Sequence, residues 1–129
     1  MCGRYALSLP LNQLPDALLN RMEAEHRSRY APRDLIVPGE PLLGVRMDQS
    51  GPEASLMLWG LIPGWQKDPS QGPRSFNARA ETVADKPSFR GAWRHRRCLI
   101  PASCFFEKGR AMRRTDQRPF WLAGLWERW

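Results

Sequence analysis

The chain is poor in the residues on which many functions depend. It holds three cysteines and two histidines among 129 residues, and none forms a Cys-x-x-Cys half-site. His95, Cys98 and Cys104 therefore lie close together without making a zinc-binding pattern, and no metal or cofactor is expected. No stretch approaches the roughly eighteen uninterrupted apolar residues of a membrane span, and there is no repeat or low-complexity segment. The first ten residues carry one arginine and no long apolar run, which argues against a signal peptide. An odd number of cysteines without an export signal fits a reducing compartment, so the expected location is cytoplasmic. Lysine is also scarce, confined to Lys67, Lys86 and Lys108. The excess of basic over acidic residues, 20 against 13 and a net charge of +7, is thus mostly arginine, the better fork for phosphate. Together with six tryptophans this composition fits a protein that holds phosphates and stacks on unpaired bases. A merely soluble basic protein fits the charge equally well. The length and a hydrophobic content of 42% support one small globular domain over residues 1–129. Oligomeric state is not legible.

What is present begins at the second residue. If the initiator is trimmed from Met1-Cys2-Gly3-Arg4-Tyr5, Cys2 carries an α-amine and a thiol on adjacent carbons. Ordinary pKa values of roughly 7.7 to 8 and about 8.5 leave part of each group nucleophilic near neutral pH. Such a 1,2-aminothiol traps an aldehyde twice: the amine condenses to an imine, and the thiolate closes a five-membered thiazolidine at high effective molarity. The alternative is a chance cysteine at a frayed end.

Leu11, Leu14, Leu18 and Met22 recur at helical spacing and predict one helix from about Leu11 to His26, with Pro15 in its first turn. Residues 29–40, punctuated by Pro32, Pro38 and Gly39, read as a surface loop. Leu42 to Met47 and Ser55 to Trp59 flank Asp48-Gln49-Ser50-Gly51-Pro52 as a hairpin. In Trp59-Gly60-Leu61-Ile62-Pro63-Gly64-Trp65 two indoles surround a Pro-Gly turn, followed by a polar loop from Gln66 to Pro73. Trp59, ending a strand, is expected to be buried. Trp65, next to polar residues, is the better stacking platform.

Ser75 to Thr82 alternates, so Asn77, Arg79 and Glu81 share one face of an extended segment, either as a site or as an ordinary solvent-facing side. Pro87 to Trp93 reads as a short helix with Phe89 and Trp93 turned inward. Arg94-His95-Arg96-Arg97 is either a phosphate contact or a solvated charge run. Cys98 to Ala102 and Cys104 to Glu107 read as strands whose cysteines sit in the core. Glu107 follows an aromatic pair; against apolar surroundings its acid form would be favoured and useful for proton transfer, whereas at an open strand end it is an ordinary carboxylate. Ala111 to Arg114 and Pro119 to Trp126 read as a last hairpin around Thr115-Asp116-Gln117-Arg118.

Six segments stand in the order seen in the SRAP family, the SOS-response-associated peptidases or abasic-site processing proteins, and the chain resembles that family on all of them. They are Met1-Cys2-Gly3-Arg4-Tyr5, the Trp59 to Trp65 unit, Asn77-Ala78-Arg79-Ala80-Glu81-Thr82, Arg97-Cys98-Leu99-Ile100-Pro101-Ala102, Phe105-Phe106-Glu107, and Leu122-Ala123-Gly124-Leu125-Trp126-Glu127. The resemblance implies an α+β fold, a small β-barrel-like bifurcated sheet with flanking helices. It also implies a partner, single-stranded DNA containing abasic sites, whose ring-opened sugar is an aldehyde. By analogy, Cys2 forms the thiazolidine after Met1 is released, the self-processing step behind the peptidase label. Asn77 hydrogen-bonds near the reacting terminus and Glu107 is the acid-base group. Arg4 and Arg79 hold phosphates, while Pro38 and Trp65 wedge or stack where the strand bends.

The chain also departs from the family pattern. Members usually run longer and carry a histidine in their later half, which neither His26 nor His95 replaces. Asp34-Leu35 stands where Tyr-Asn is common, Lys108 stands where an aromatic residue is expected, and the hairpin after Glu107 is short. The expectation is a member lacking the family's C-terminal part, able to capture an abasic aldehyde but impaired in histidine-dependent strand cleavage or crosslink reversal. The alternatives are a non-catalytic single-stranded DNA-binding module and a non-functional truncated member.

Overall fold

The computed structural model describes residues 2–70 and 75–128. Met1, residues 71–74 of the polar loop, and Trp129 lie outside the described residues.

Two four-stranded antiparallel sheets make up the fold. Sheet A has the order β2-β1-β6-β7, from Arg33–Ile36, Tyr5–Leu7, Cys104–Glu107 and Arg110–Met112. Sheet B has the order β4-β3-β5-β8, from Gly51–Leu58, Pro41–Asp48, Arg97–Ala102 and Phe120–Leu125. The expected α+β class with a bifurcated sheet is what the chain adopts, but the sheets do not close into a barrel. Ser103, between β5 and β6, carries the chain from one sheet to the other, and its N–H donates to the Ala6 carbonyl at 2.8 Å. The junction leaves two sheets sharing a core instead of one continuous ring of strands. That core takes Tyr5, Leu7 and Ile36 from sheet A and Leu42, Leu43, Ala54 and Ala102 from sheet B, with Leu14, Leu18 and Met22 closing over them. All three residues of β1 are buried, so the strand that follows Cys2 is covered on both faces.

The β3–β4 hairpin forms as expected and is longer than its apolar runs. Its strands pair from Pro41↔Leu58 to Asp48↔Gly51, leaving Gln49 and Ser50 as the turn. Gly51 follows at φ +117°, a conformation glycine adopts without strain.

Several sequence expectations are corrected. The single helix from Leu11 to His26 is three short pieces: a 3-10 turn at Leu11–Gln13, α1 at Asp16–Leu19 and α2 at Ala24–Arg29. Pro15, with extended backbone, caps α1 instead of continuing a helix. Met22 then leaves the helical path to bridge Ala54. The apolar spacing nevertheless identified Leu14, Leu18 and Met22, all buried. Within the expected loop 29–40, Arg33–Ile36 forms β2, because Ile36 and Arg33 pair with Tyr5 and Leu7. Residues 75–82 are not a strand: Ser75 alone bridges Leu61, and the Arg79 carbonyl accepts from both Thr82 and Val83, coiling the chain into turns. The short helix falls later, as α3 at Arg90–His95. Phe89 turns inward, but Trp93 is 40% exposed. The last hairpin does not form either. β7 pairs with β6 and β8 with β5, in different sheets. Instead β6 and β7 are joined through Lys108 and Gly109, both at positive φ (49° and 74°), a two-residue turn suited to the twist of a hairpin. The loop of this hairpin is thus two residues long.

Candidate functional site

Backbone pairing sets the position of Cys2. Tyr5 pairs with Phe105 and Ala6 with Cys104, and the ladder continues past the end of β1, where the Phe106 N–H donates to the Arg4 carbonyl at 3.0 Å. The same antiparallel register carried one residue further sets Gly3 opposite Glu107. The end of β6 and the residues before β1 therefore bring Glu107 beside the Cys2 segment. The Cys2 thiol donates to the Arg4 carbonyl at 3.1 Å, and Cys2 is half-buried against the core.

The third residue arrives from far along the chain. The Asn77 amide Nδ2 donates to the Cys2 carbonyl at 2.6 Å, across 75 positions of sequence. Two backbone contacts of its segment make this possible: the Leu61 N–H donates to the Ser75 carbonyl at 2.8 Å, and Trp59 Nε1 donates to the Phe76 carbonyl at 3.2 Å. Trp59 is half-buried and stands edge-on to both Tyr5 and Phe76, with centroids 5.5 and 6.4 Å apart. It is thus the hinge between the Cys2 strand and the Asn77 segment. Gly3 faces Phe76, and a methyl group there would lie 3.7 Å from the ring, in ordinary contact.

Three of the four residues expected to touch a nucleic acid are exposed. Arg4 and Arg79 are exposed and Trp65 is 67% exposed. Pro38 is half-buried in a turn tied to Trp59, since the Gly39 N–H donates to the Trp59 carbonyl at 2.8 Å. Arg33 and Val37 N–H both bind one oxygen of Glu40, at 2.6 and 3.0 Å, which fixes the same turn. Glu81 lies on the coiled turn, exposed, away from any strand face.

A second set of residues lies beneath Gly64 of the Trp65 turn, among them Arg96 of the run expected to contact phosphate or water. Glu127 pairs with Arg96 at 2.8 Å, with side-chain exposures of 14% and 29%. Gly64 lies directly over this carboxylate, and a Cβ there would come 3.6 Å from Glu127 Cδ. Trp126 is half-buried, with the Arg46 guanidinium 4.7 Å above its ring. The Trp126-Glu127 dipeptide was visible as a motif, but nothing in its spacing pointed to Arg96, 31 positions away.

His26 accepts from the Leu56 N–H at 3.3 Å on the other sheet, and His95 is exposed at the end of α3. Cys98 and Cys104 are buried, and burial pushes the Cys98 thiol up to about 11. Of the three free cysteines only Cys2 reaches the surface. Among the described residues, no three His, Cys, Asp or Glu side chains are arranged to hold a metal ion, and no helix is long and apolar enough to cross a membrane.

Two antiparallel four-stranded sheets with few helices, and an asparagine amide reaching the Cys2 carbonyl beside the first strand, define the class. The sequence model described as SOS response associated peptidase (SRAP) matches residues 1–129, and the chain belongs to that family. It is 33% identical to the abasic site processing protein YoaM of Bacillus subtilis (strain 168), an alignment that takes in 100% of this chain and 60% of that protein. Against the abasic site processing protein HMCES of Rattus norvegicus the identity is 28%, over 95% of this chain and 40% of that protein. The chain thus spans about 60% of the length of its Bacillus relative. Among solved structures, a Bordetella bronchiseptica protein superposes with a TM-score of 0.70 at 26% identity, covering 99% of this chain and 64% of its own. A Bacteroides thetaiotaomicron protein, at 21% identity and a TM-score of 0.75 over 97% of this chain and 61% of its own, shares the fold.

Proposed function

We propose that the chain captures abasic sites in single-stranded DNA through Cys2. Hydrolysis of the Met1–Cys2 peptide bond consumes one water and frees the α-amine. That amine adds to the C1′ aldehyde of the ring-opened sugar, and loss of water gives an imine. The thiol then adds across the imine, its sulfur to carbon and its proton to nitrogen, closing a thiazolidine. Glu107, one residue out of register from Cys2 across the ladder, is the group we assign to proton transfer in sugar opening and imine formation. Asn77 holds the terminus in place. Arg4 and Arg79 hold the flanking phosphates, and Pro38 and Trp65 wedge and stack beside the missing base. Unpaired cysteines suit a reducing compartment, where we place this activity.

The observation that carries this reading is the 2.6 Å bond from Asn77 to the Cys2 carbonyl. A long-range side-chain bond at a chain end is unexpected for a frayed terminus and suits one that is held for reaction. The relatives' names, abasic site processing protein, supply the substrate class.

The test mixes purified protein, its mature N-terminus determined by mass, with an abasic single-stranded oligonucleotide. An intact mass equal to protein plus oligonucleotide minus one water is expected, and Cys2→Ala abolishes it. Protein that begins at Cys2 and yields no adduct, or an undiminished adduct from Cys2→Ala, rejects the mechanism. Salt-sensitive binding without an adduct identifies a strand-binding module instead.

A further inference from the structure

The segment from α3 into β5 has a surface that the site above does not use. Between Asp85 and Glu107 the chain contains no carboxylate, yet it carries Lys86, Arg90, Arg94, His95, Arg96 and Arg97. Among the ion pairs of the described residues, this run is represented by Arg96 with Glu127. Arg90, Arg94 and Arg97 are exposed.

Local packing explains why an aromatic ring joins them. Phe89 and Ala92, three positions apart, are 6% and 2% exposed and take the inward face of this turn of chain. Trp93 is thereby rotated outward, 40% exposed, and the Arg97 guanidinium carbon stands 5.6 Å over its ring. An indole left in water beside a cation, within a patch of one charge sign, has two needs: a flat partner for the ring and an anion for the guanidinium. An unpaired nucleotide offers both, a base and its phosphate. An acidic peptide would satisfy the arginines and leave the indole uncovered, and a duplex would present no unstacked base.

We infer that Trp93, Arg97 and Arg94 form a second strand-binding surface, on which a base flanking the abasic site stacks and its phosphates are neutralised. The surface adjoins the Trp65 turn, because Arg96, between Arg94 and Arg97, pairs with the same Glu127 carboxylate over which Gly64 lies. A strand leaving Trp65 therefore has a second platform within reach. This inference rests on the reading that the chain binds single-stranded DNA.

Binding of a fluorescein-labelled, undamaged oligothymidine to Cys2→Ala protein, followed by anisotropy, tests it without covalent trapping. Trp93→Ala weakens binding by about tenfold, as for one lost base stack, whereas Trp93→Phe keeps most of the affinity. Arg97→Gln flattens the dependence of log affinity on log salt by about one unit, a readout that loss of fold alone does not produce. Trp93→Ala and Arg97→Gln both binding like the parent, with an unchanged salt slope, overturns the surface alone. A parent protein that binds no strand rejects the proposed function together with it.

Discussion

At Cys2 the chain is positioned by main chain: β1 is buried along its whole length, and the ladder to β6 continues through Arg4. At Trp65, by contrast, the turn is closed by one backbone bond, Gln66 N–H to the Pro63 carbonyl at 2.9 Å, follows a single residue bridge, Leu61 to Ser75, and packs on a side-chain pair, Arg96–Glu127 beneath Gly64. Ladder bonds form with the sheet and are insensitive to the identity of any one side chain, whereas a side-chain support is lost with one substitution. The contrast suits the roles we assign: the reacting atoms sit at the rigid end of sheet A, and the stacking ring is carried on a part that a strand can adjust.

The comparison breaks most sharply at Asn77, whose side chain holds the Cys2 carbonyl from 75 positions away. Asn77→Ala removes the donor to the Cys2 carbonyl and leaves the ladder intact. Adduct formation should slow by about 10²-fold, the scale of a small misplacement of reacting groups, while the thermal midpoint moves little because a single part-buried hydrogen bond contributes only about 1 kcal/mol. Single-turnover adduct kinetics alongside a melting curve check both halves. A rate within twofold of the parent would show that the ladder alone positions the terminus.

Glu127→Ala probes the other region. Removing one partner of a fully buried pair costs about 3–5 kcal/mol, and partial exposure of both side chains reduces the expected loss to about 1–2 kcal/mol. Strand affinity should fall as well, through Trp65. A double-mutant cycle separates the two effects: if Glu127 acts by supporting the turn, its substitution costs no further affinity in a Trp65→Ala background. Additive losses instead would make Glu127 a general structural residue.

How far the sequence revealed this arrangement depends on the range of the interaction. The hairpin of β3 and β4, the strands β5 and β6, and the buried Leu14, Leu18, Met22, Cys98 and Cys104 follow from local pattern, because burial imprints its period on a short stretch. The family resemblance gathered Cys2, Asn77 and Glu107 into one list, but the Asn77–Cys2 contact spans 75 positions and Glu107 follows from a strand register, which no local signal carries. The errors have physical causes. Leu11 to His26 has helical spacing throughout, yet Pro15 and the bridge from Met22 to Ala54 divide it. Alternation in residues 75–82 suggests a strand, but among the described residues its pairing is the single bridge from Ser75 to Leu61. A short helix from Pro87 to Trp93 would turn Trp93 inward with Phe89, whereas in the fold Phe89 and Ala92 fill the inward positions.

The smallest expected effect concerns the Pro38 turn, which shares Trp59 with the Cys2 strand but is closed by a titratable group. The backbone N–H of Val37, and then the Arg33 guanidinium, hold the Glu40 carboxyl below its ordinary range. A carboxylate whose folded pKa is depressed adds stability that is present above its unfolded value, about 4.3, and lost as pH falls through the folded one. The stability difference between parent and Glu40→Gln should therefore be constant from neutral pH to about 5 and shrink below about 4. Melting curves of both proteins across that range measure it. No gap at neutral pH would mean that backbone contacts, and not this carboxylate, close the turn, and the two regions would then be held by the same means.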